Sequence, residues 1–251
     1  MKFSAPDWCF YEHASDPERY YANLLQAGYA GAEMVPPDRC AAARAAGLDI
    51  LNLSGPGMQK GLNRREHHAE LLPQIRDAIA QAQTLRIPHV IVFSGNRAGQ
   101  LDSEGIANCR AGLEQVLPDA AARGVTLLFE MLNSRKDHPD YQADSGAYGF
   151  TLAAALASPR LKVLYDLYHL AWMGADVVAE VTANLPVIAH LHVAEMPDRN
   201  APQARGNIAY AEIVPQIQRA GYTGYWGMEF KPAGDSITEL AAARKLFQSF
   251  A

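Results

Sequence analysis

The sequence is poor in cysteine, has no surplus of positive charge and contains no long apolar run. Its three cysteines are an odd number without a C-x-x-C pair, which predicts reduced thiols in a cytoplasmic protein rather than a disulfide framework. Lysine and arginine total 22 against 27 for aspartate and glutamate, a net charge of −5. That balance disfavours nucleic acid as a partner, because an acidic surface repels phosphates. No run approaches the roughly 18 apolar residues of a membrane span, and Asp7 interrupts the N-terminal stretch before a secretory signal develops.

The chain also lacks a linker rich in proline, glycine or serine. Short apolar runs instead alternate with amphipathic stretches, and several of these stretches end in glycine, the left-handed helix stop. The apolar runs are KFSAPDWCF, GAEMV, LDILNLS, HVIVFSG, VTLLFEML, LKVLYDLYH, VIAHLHVAEM and YWGMEF. Strand followed by helix eight times predicts an α/β protein, a single (β/α)8 TIM barrel forming one domain over residues 1–251. A doubly wound open sheet is the structural alternative.

Four polar residues stand late in these apolar runs, where an isolated buried charge would be very costly. They are Glu130 in LLFEML, Asp166 in VLYDLYH, His192 in AHLHVAE and Glu229 in WGMEF. Four consecutive strands of a barrel would bring them to its C-terminal mouth, the face that carries active sites. Three carboxylates there would repel one another unless a cation lay between them. Together with one imidazole they predict a site for Mn²⁺, Mg²⁺ or Co²⁺.

Other cofactors have weaker support in the sequence. The run GPGMQKG lacks the spacing of a dinucleotide or phosphate loop, so we predict no cofactor besides the metal. Two connections, 54–64 and 133–148, are longer than usual and both follow predicted strands. Loops at this face of a barrel carry function, and we predict that His138, in the second loop, contacts the substrate.

The residues quoted so far, with several longer segments, resemble the sugar isomerase/epimerase superfamily of xylose-isomerase-like TIM barrels. Within it the chain is most similar to the hydroxypyruvate isomerase family, over essentially its whole length. The segments that carry the resemblance are GAEMVPP, GLNRREHH, VIVFSGNR, MLNSRKDHPDYQ, LYDLYH, HLHVAEMPDRN and GYTGYWGMEFKP. The sequence departs from that family's pattern at His192, where Gln is usual, and in the run PQARGNIAY after Arg199.

The resemblance implies roles for individual residues. A divalent metal would be held by Glu130, Asp166, His192 and Glu229, with the two glutamates also acting as the acid/base pair. His169 and Arg199 would contact the substrate. The implied reaction interconverts hydroxypyruvate and tartronate semialdehyde, or a related small α-hydroxycarbonyl acid, by enediolate proton transfer. Such barrels often associate into homo-oligomers.

Other functions share parts of this pattern. A ketose 3-epimerase would use the same four ligands and the same acid/base pair, so the sequence leaves it open. A DNA-repair endonuclease of this barrel class would need further metal ligands and a basic groove, which the net charge of −5 disfavours. A barrel that only binds sugar would have no use for an acid/base pair.

Overall fold

Parallel strands alternate with helices along the chain. The computed structural model describes residues 1–12 and 16–251. The strands are β1 (Lys2–Pro6), β2 (Gly31–Glu33), β3 (Asp49–Ile50), β4 (Asn52–Ser54), β5 (His89–Phe93), β6 (Thr126–Glu130), β7 (Leu161–Asp166), β8 (Ile188–Val193) and β9 (Tyr225–Met228). The helices are α1 (Asp7–Phe10), α2 (Pro17–Gln26), α3 (Cys40–Ala45), α4 (Arg65–Thr84), α5 (Asp102–Ala122), α6 (Gly146–Leu156), α7 (Leu167–Met173), α8 (Val177–Asn184), α9 (Tyr210–Arg219) and α10 (Ser236–Ser249).

The described chain divides into two compact units. The first unit comprises Met1–Leu51, Val177–Leu185 and His190–Ala251, and the second comprises Asn52–Asp176 and Pro186–Ala189. In the first unit the strands pair in parallel in the order β3, β2, β1, β9, β8. In the second unit the parallel order is β7, β6, β5, β4.

The predicted third strand, LDILNLS, forms two short strands instead of one. β3 pairs with β2 in the first unit, and β4 pairs with β5 in the second. Leu51 separates them, and its N–H still donates to the carbonyl of Ala32. The apolar pattern continues across Leu51, so it does not reveal where the strand changes partners.

The strands of the second unit are apolar because both of their faces are covered. In β5, Val90, Ile91 and Val92 are all buried although successive side chains point to opposite faces. Continuous apolar runs of this kind are typical of parallel strands with helices on one side and a packed interior on the other.

Helix boundaries follow the predicted glycine stops. Gly28, Gly47, Gly124 and Gly221 all have positive φ, a conformation that glycine adopts without a Cβ penalty. A side chain at Gly28 would also collide with the guanidinium of Arg244. Helix α7 was not predicted, because its apolar residues continue the run of β7. Within the described residues no helix has the length and hydropathy needed to cross a membrane.

Candidate active site

The first unit brings His192 and Glu229 into contact. His192 on β8 lies in register with Gly227 on β9, and Glu229, two residues further, therefore faces the same side. The Nδ1 atom of His192 is 3.1 Å from Oε2 of Glu229, and both side chains are buried. A nitrogen lone pair and a carboxylate oxygen repel at this distance unless a proton or a metal cation lies between them.

Glu229 is also held by two side chains from other parts of the first unit. The indole N–H of Trp8, on α1, donates to Oε1 of Glu229 at 3.0 Å. Arg199 forms an ion pair with Oε2, and its Nε donates to the main-chain carbonyl of Glu229 at 3.2 Å. The guanidinium also lies 5.2 Å from the centre of the Trp8 ring. The carboxylate of Glu229 is therefore held in one orientation.

The backbone at Arg199 is strained. Its φ is +59°, which a residue with a long side chain rarely adopts. Strain of this kind persists where the surrounding structure holds it, and it is concentrated at functional sites. Here it turns the buried Arg199 side chain toward Glu229.

The analysis of the sequence missed Glu33. This fully buried carboxylate ends β2 and lies 3.0 Å from Nε2 of His190 and 2.9 Å from Nε2 of His192. Burial acts to raise the pKa of Glu33, but the two imidazoles outweigh it and lower that pKa well below its usual value. The sequence did carry a signal for Glu33, because it is a carboxylate within the apolar run GAEMV. A polar residue within an apolar run was the criterion that selected the other four site residues.

In the second unit Glu130 and Asp166 end neighbouring strands. Glu130 on β6 lies in register with Leu164 on β7, so Asp166, two residues beyond, faces the same side. Both carboxylates are buried. Oδ1 of Asp166 caps α7 by accepting from the N–H groups of Tyr168 and His169 at 2.8 and 3.1 Å. Such a cap uses one oxygen of the carboxylate, so capping is compatible with a ligand role for Oδ2.

The predicted substrate-binding residues of the second unit lie together. The ring centres of His138 and His169 are 5.2 Å apart in an edge-to-face arrangement. The side-chain amide of Asn133 donates to Nδ1 of His169 at 2.6 Å, which assigns the ring proton of a neutral His169 to Nε2. Asn133 also donates to Asp137 at 2.8 Å, and that carboxylate accepts from Tyr168 at 2.7 Å. The loop thus fixes the orientation of His169.

The donor atoms fit a hard divalent cation. Within the second unit two buried carboxylates end neighbouring strands, and within the first unit a carboxylate and an imidazole nitrogen are in contact. Oxygen-rich sets with one imidazole suit Mn²⁺, Mg²⁺ and Co²⁺. A further group, Glu33, His190 and His192, has ligand atoms within 4.8 Å of one another. Cys9 lies near Glu229, and burial together with the charge of Glu229 raises the pKa of its thiol well above the usual value. Cys9 is therefore not suited to act as a nucleophile.

A model of the xylose isomerase-like TIM barrel family matches residues 22–249. The chain belongs to this family. Membership confirms the predicted (β/α)8 fold and the xylose-isomerase-like resemblance. In barrels of this kind the C-terminal ends of the strands carry the active site, and β6, β7, β8 and β9 all have one of the four predicted ligands within one residue of that end.

Relatives of the chain are named as isomerases. A protein of Mus musculus named "putative hydroxypyruvate isomerase" is 26% identical over 269 residues, covering 97% of this chain and 94% of its own. A protein of Cupriavidus necator named 2-oxo-tetronate isomerase is 33% identical over 135 residues, covering 52% of this chain and 51% of its own. These matches confirm the predicted resemblance to the hydroxypyruvate isomerase family.

Solved structures share the fold across nearly the whole chain. A family 2 AP endonuclease from Brucella melitensis matches with a TM-score of 0.86 and 21% identity, covering 97% of this chain and 98% of its own. A D-psicose 3-epimerase from Clostridium cellulolyticum H10 matches with a TM-score of 0.81 and 16% identity, covering 99% of each chain. At these identities the likeness concerns the fold alone, since one barrel hosts many activities.

Proposed function

We propose that the protein is a metal-dependent isomerase, folded as one domain over residues 1–251, that acts on a small α-hydroxycarbonyl acid. The substrate pair would be hydroxypyruvate and tartronate semialdehyde, or a closely related acid. The observation that carries this proposal is the match, over 97% of the chain, to a protein named "putative hydroxypyruvate isomerase".

The proposed metal ligands are Glu130, Asp166, His192 and Glu229. Their support is the chemistry of the donor set and their places at the ends of β6, β7, β8 and β9. When bound, a divalent ion would polarise the substrate carbonyl and offset the negative charge that develops as a proton leaves carbon. The contact between His192 and Glu229 supports this assignment, because a cation would relieve the repulsion between those two atoms.

Proton transfer is assigned to the two glutamates. One carboxylate removes the proton from the hydroxyl-bearing carbon, the hydroxyl proton passes to the neighbouring oxygen, and the other carboxylate delivers a proton to the neighbouring carbon. Glu229 is suited to this role because Trp8 and Arg199 fix the plane of its carboxylate. A base that is already oriented loses little entropy when the substrate arrives.

Arg199, His169 and His138 are the proposed substrate-binding residues. The planar guanidinium fork of Arg199 matches the geometry of a carboxylate, and its charge is opposite. Arg199 would therefore hold the carboxylate of the acid beside Glu229. His169, oriented by Asn133, would donate from Nε2 to a substrate oxygen. His138, whose ring packs against that of His169, would contact the substrate next to it.

The second candidate function is 3-epimerisation of a ketose. It requires the same proton removal from carbon but returns the proton to the opposite face. His192 favours this candidate, because the hydroxypyruvate isomerase pattern has Gln at that position. The two functions differ in whether the substrate carries a carboxylate for Arg199.

The test is a comparison of kcat/KM for hydroxypyruvate, fructose, tagatose and psicose with the same divalent metal. The proposal expects a clear preference for hydroxypyruvate. A preference for any neutral ketose would overturn the acid substrate and favour the epimerase, while leaving the metal-assisted proton transfer in place.

A further inference from the structure

Glu33 accepts hydrogen bonds from Ser4 and His192 and lies against His190 in a fully buried position. Oε1 lies 2.6 Å from the hydroxyl of Ser4, which donates to it, and 3.0 Å from Nε2 of His190. Oε2 lies 2.9 Å from Nε2 of His192. An ionised carboxylate can only accept, so His192 places a proton on Nε2. Glu33 contributes nothing to the four-ligand set proposed above, yet it touches one member of that set.

The first unit leaves space for this arrangement. Ser4 on β1 and His192 on β8 are both in register with Gly227 on β9, which lies between them. A Cβ atom on Gly227 would come within 2.5 Å of Oε1 of Glu33 and 2.6 Å of Cδ2 of His192. The glycine allows the Glu33 side chain to extend from β2, past β1 and β9, to the imidazole on β8.

We propose that Glu33 is a positioning residue that keeps the proton of His192 on Nε2 and thereby assigns Nδ1 to the metal. This inference rests on the proposed function, because it takes His192 as a metal ligand. The opposite edge of the same ring supports it, since Nδ1 faces Oε2 of Glu229, a second proposed ligand. Carboxylates that accept from the far nitrogen of a metal-bound imidazole fix its tautomer and orientation.

His190 and Ser4 complete the arrangement from the other side. Ser4 donates to Oε1 of Glu33, and Nε2 of His190 lies 3.0 Å from the same oxygen, so the carboxylate is held in place while Oε2 remains directed at His192. This geometry gives His190 a supporting role through Glu33.

The first experiment measures Mn²⁺ binding by the full chain, following free Mn²⁺ by electron paramagnetic resonance. Glu33→Gln is nearly isosteric, but its amide has one acceptor oxygen and presents N–H donors to the second imidazole. We expect the Kd for Mn²⁺ to rise about 10- to 100-fold. The matched control is Tyr29→Phe, which removes another buried hydrogen bond of the first unit, from the Tyr29 hydroxyl to the carbonyl of Leu240, and should leave the Kd unchanged. Equal affinity in wild type and Glu33→Gln would overturn the inference.

The second experiment needs no variant of Glu33. Nitrogen-15 NMR of the Mg²⁺-loaded wild-type protein, with the His192 signals assigned by their loss in His192→Gln, reports which nitrogen carries the proton. We expect a protonated Nε2, and the same Nε2 proton before Mg²⁺ is added. A proton on Nδ1 and none on Nε2 in the loaded protein would overturn the inference and leave the proposed function intact.

Stoichiometry separates the remaining outcomes. Binding of one Mn²⁺ per chain agrees with Glu33 acting through hydrogen bonds. Two ions per chain, with the second lost in His190→Gln, would make Glu33 a ligand itself and contradict the positioning role. Failure of the wild-type chain to bind Mn²⁺ at all would remove the proposed metal site, and this inference with it.

Discussion

Arg199 contacts Glu229 twice, through an ion pair with the carboxylate and a hydrogen bond of 3.2 Å to the main-chain carbonyl. The sequence predicted that Arg199 contacts the substrate, and the structure adds that it touches the proposed proton-transfer residue. Arg199 would thus align the carboxylate of Glu229 and the carboxylate of the substrate relative to each other.

Arg199→Lys is predicted to weaken binding of the acid more than it lowers turnover. Lysine keeps the positive charge beside Glu229 but loses the planar fork that pairs with a carboxylate. A charge-assisted hydrogen bond contributes about 1.5–3 kcal/mol, so KM for hydroxypyruvate should rise about tenfold or more, with a smaller change in kcat. Steady-state kinetics measure both constants. Arg205→Lys, at an exposed position in the same loop, is the control. An unchanged KM in Arg199→Lys would exclude a carboxylate contact.

Substitution of either proposed proton-transfer residue should nearly abolish turnover. Glu130→Gln and Glu229→Gln each remove a ligand charge and a group that carries a proton, and general acid–base catalysis alone contributes about 10²–10⁴-fold. We expect kcat to fall by at least that factor in each variant. Glu104→Gln, on the exposed face of α5, should behave as wild type. If one of the two variants kept near-normal turnover, that glutamate would be a structural residue and the pairing would be wrong.

Several helix ends and site carboxylates of this barrel could be predicted, because they depend on residues that are neighbours in the sequence. Glycine commonly follows helices that end in the left-handed conformation, and carboxylates are rare inside apolar strands unless something compensates them. These two rules located the helix ends at Gly28 and Gly124, and they selected Glu130 and Glu229. They operate within a few residues, so one sequence is enough to apply them.

Contacts between distant strands could not be predicted in the same way. The importance of Glu33 depends on Ser4, Gly227 and His190 lying around it, and those residues come from three other strands. The helix that begins after Asp166 was hidden for a related reason. Its sequence, LYHLAWM, is short and mostly apolar, and its first four residues are buried, so it lacks the amphipathic period that reveals a surface helix.

Asp7 should make stability depend on pH. Burial raises the pKa of Asp7 from 3.8 to about 6, although a hydrogen bond of 2.6 Å from Tyr21 and the charge of Arg39 act to lower it. The folded state therefore retains this proton over a range where the unfolded chain has lost it. Stability from this group is full below pH 4 and falls as the pH rises to 6, by about 3 kcal/mol in total.

Urea unfolding of wild type and Asp7→Asn between pH 4 and 7 measures this effect. The difference in unfolding free energy between the two proteins should change across the window, in favour of wild type at the acidic end. Asparagine has no proton to lose, so the variant supplies the reference slope. A difference that stays constant from pH 4 to 7 would show that Asp7 has an ordinary pKa.

The purified protein should contain about one divalent ion per chain. The proposed ligands are buried and include three carboxylates, so removal of the ion leaves repulsion that a cation had offset. Elemental analysis gives the stoichiometry, and dialysis against a chelator should abolish activity until Mn²⁺, Mg²⁺ or Co²⁺ is restored. Full activity in protein shown to be free of metal would contradict the assignment.

The most direct test of the central claim is hydrogen exchange at carbon, followed by proton NMR with the metal-loaded enzyme in D₂O. Proton transfer between glutamate and substrate predicts that deuterium enters hydroxypyruvate at C3, the carbon that bears the hydroxyl, and enters the product at C2. Glu130→Gln and Glu229→Gln should each suppress this exchange. If the wild-type enzyme converts hydroxypyruvate without any uptake of solvent deuterium, or if both variants exchange as fast as wild type, proton transfer by this pair of glutamates is contradicted.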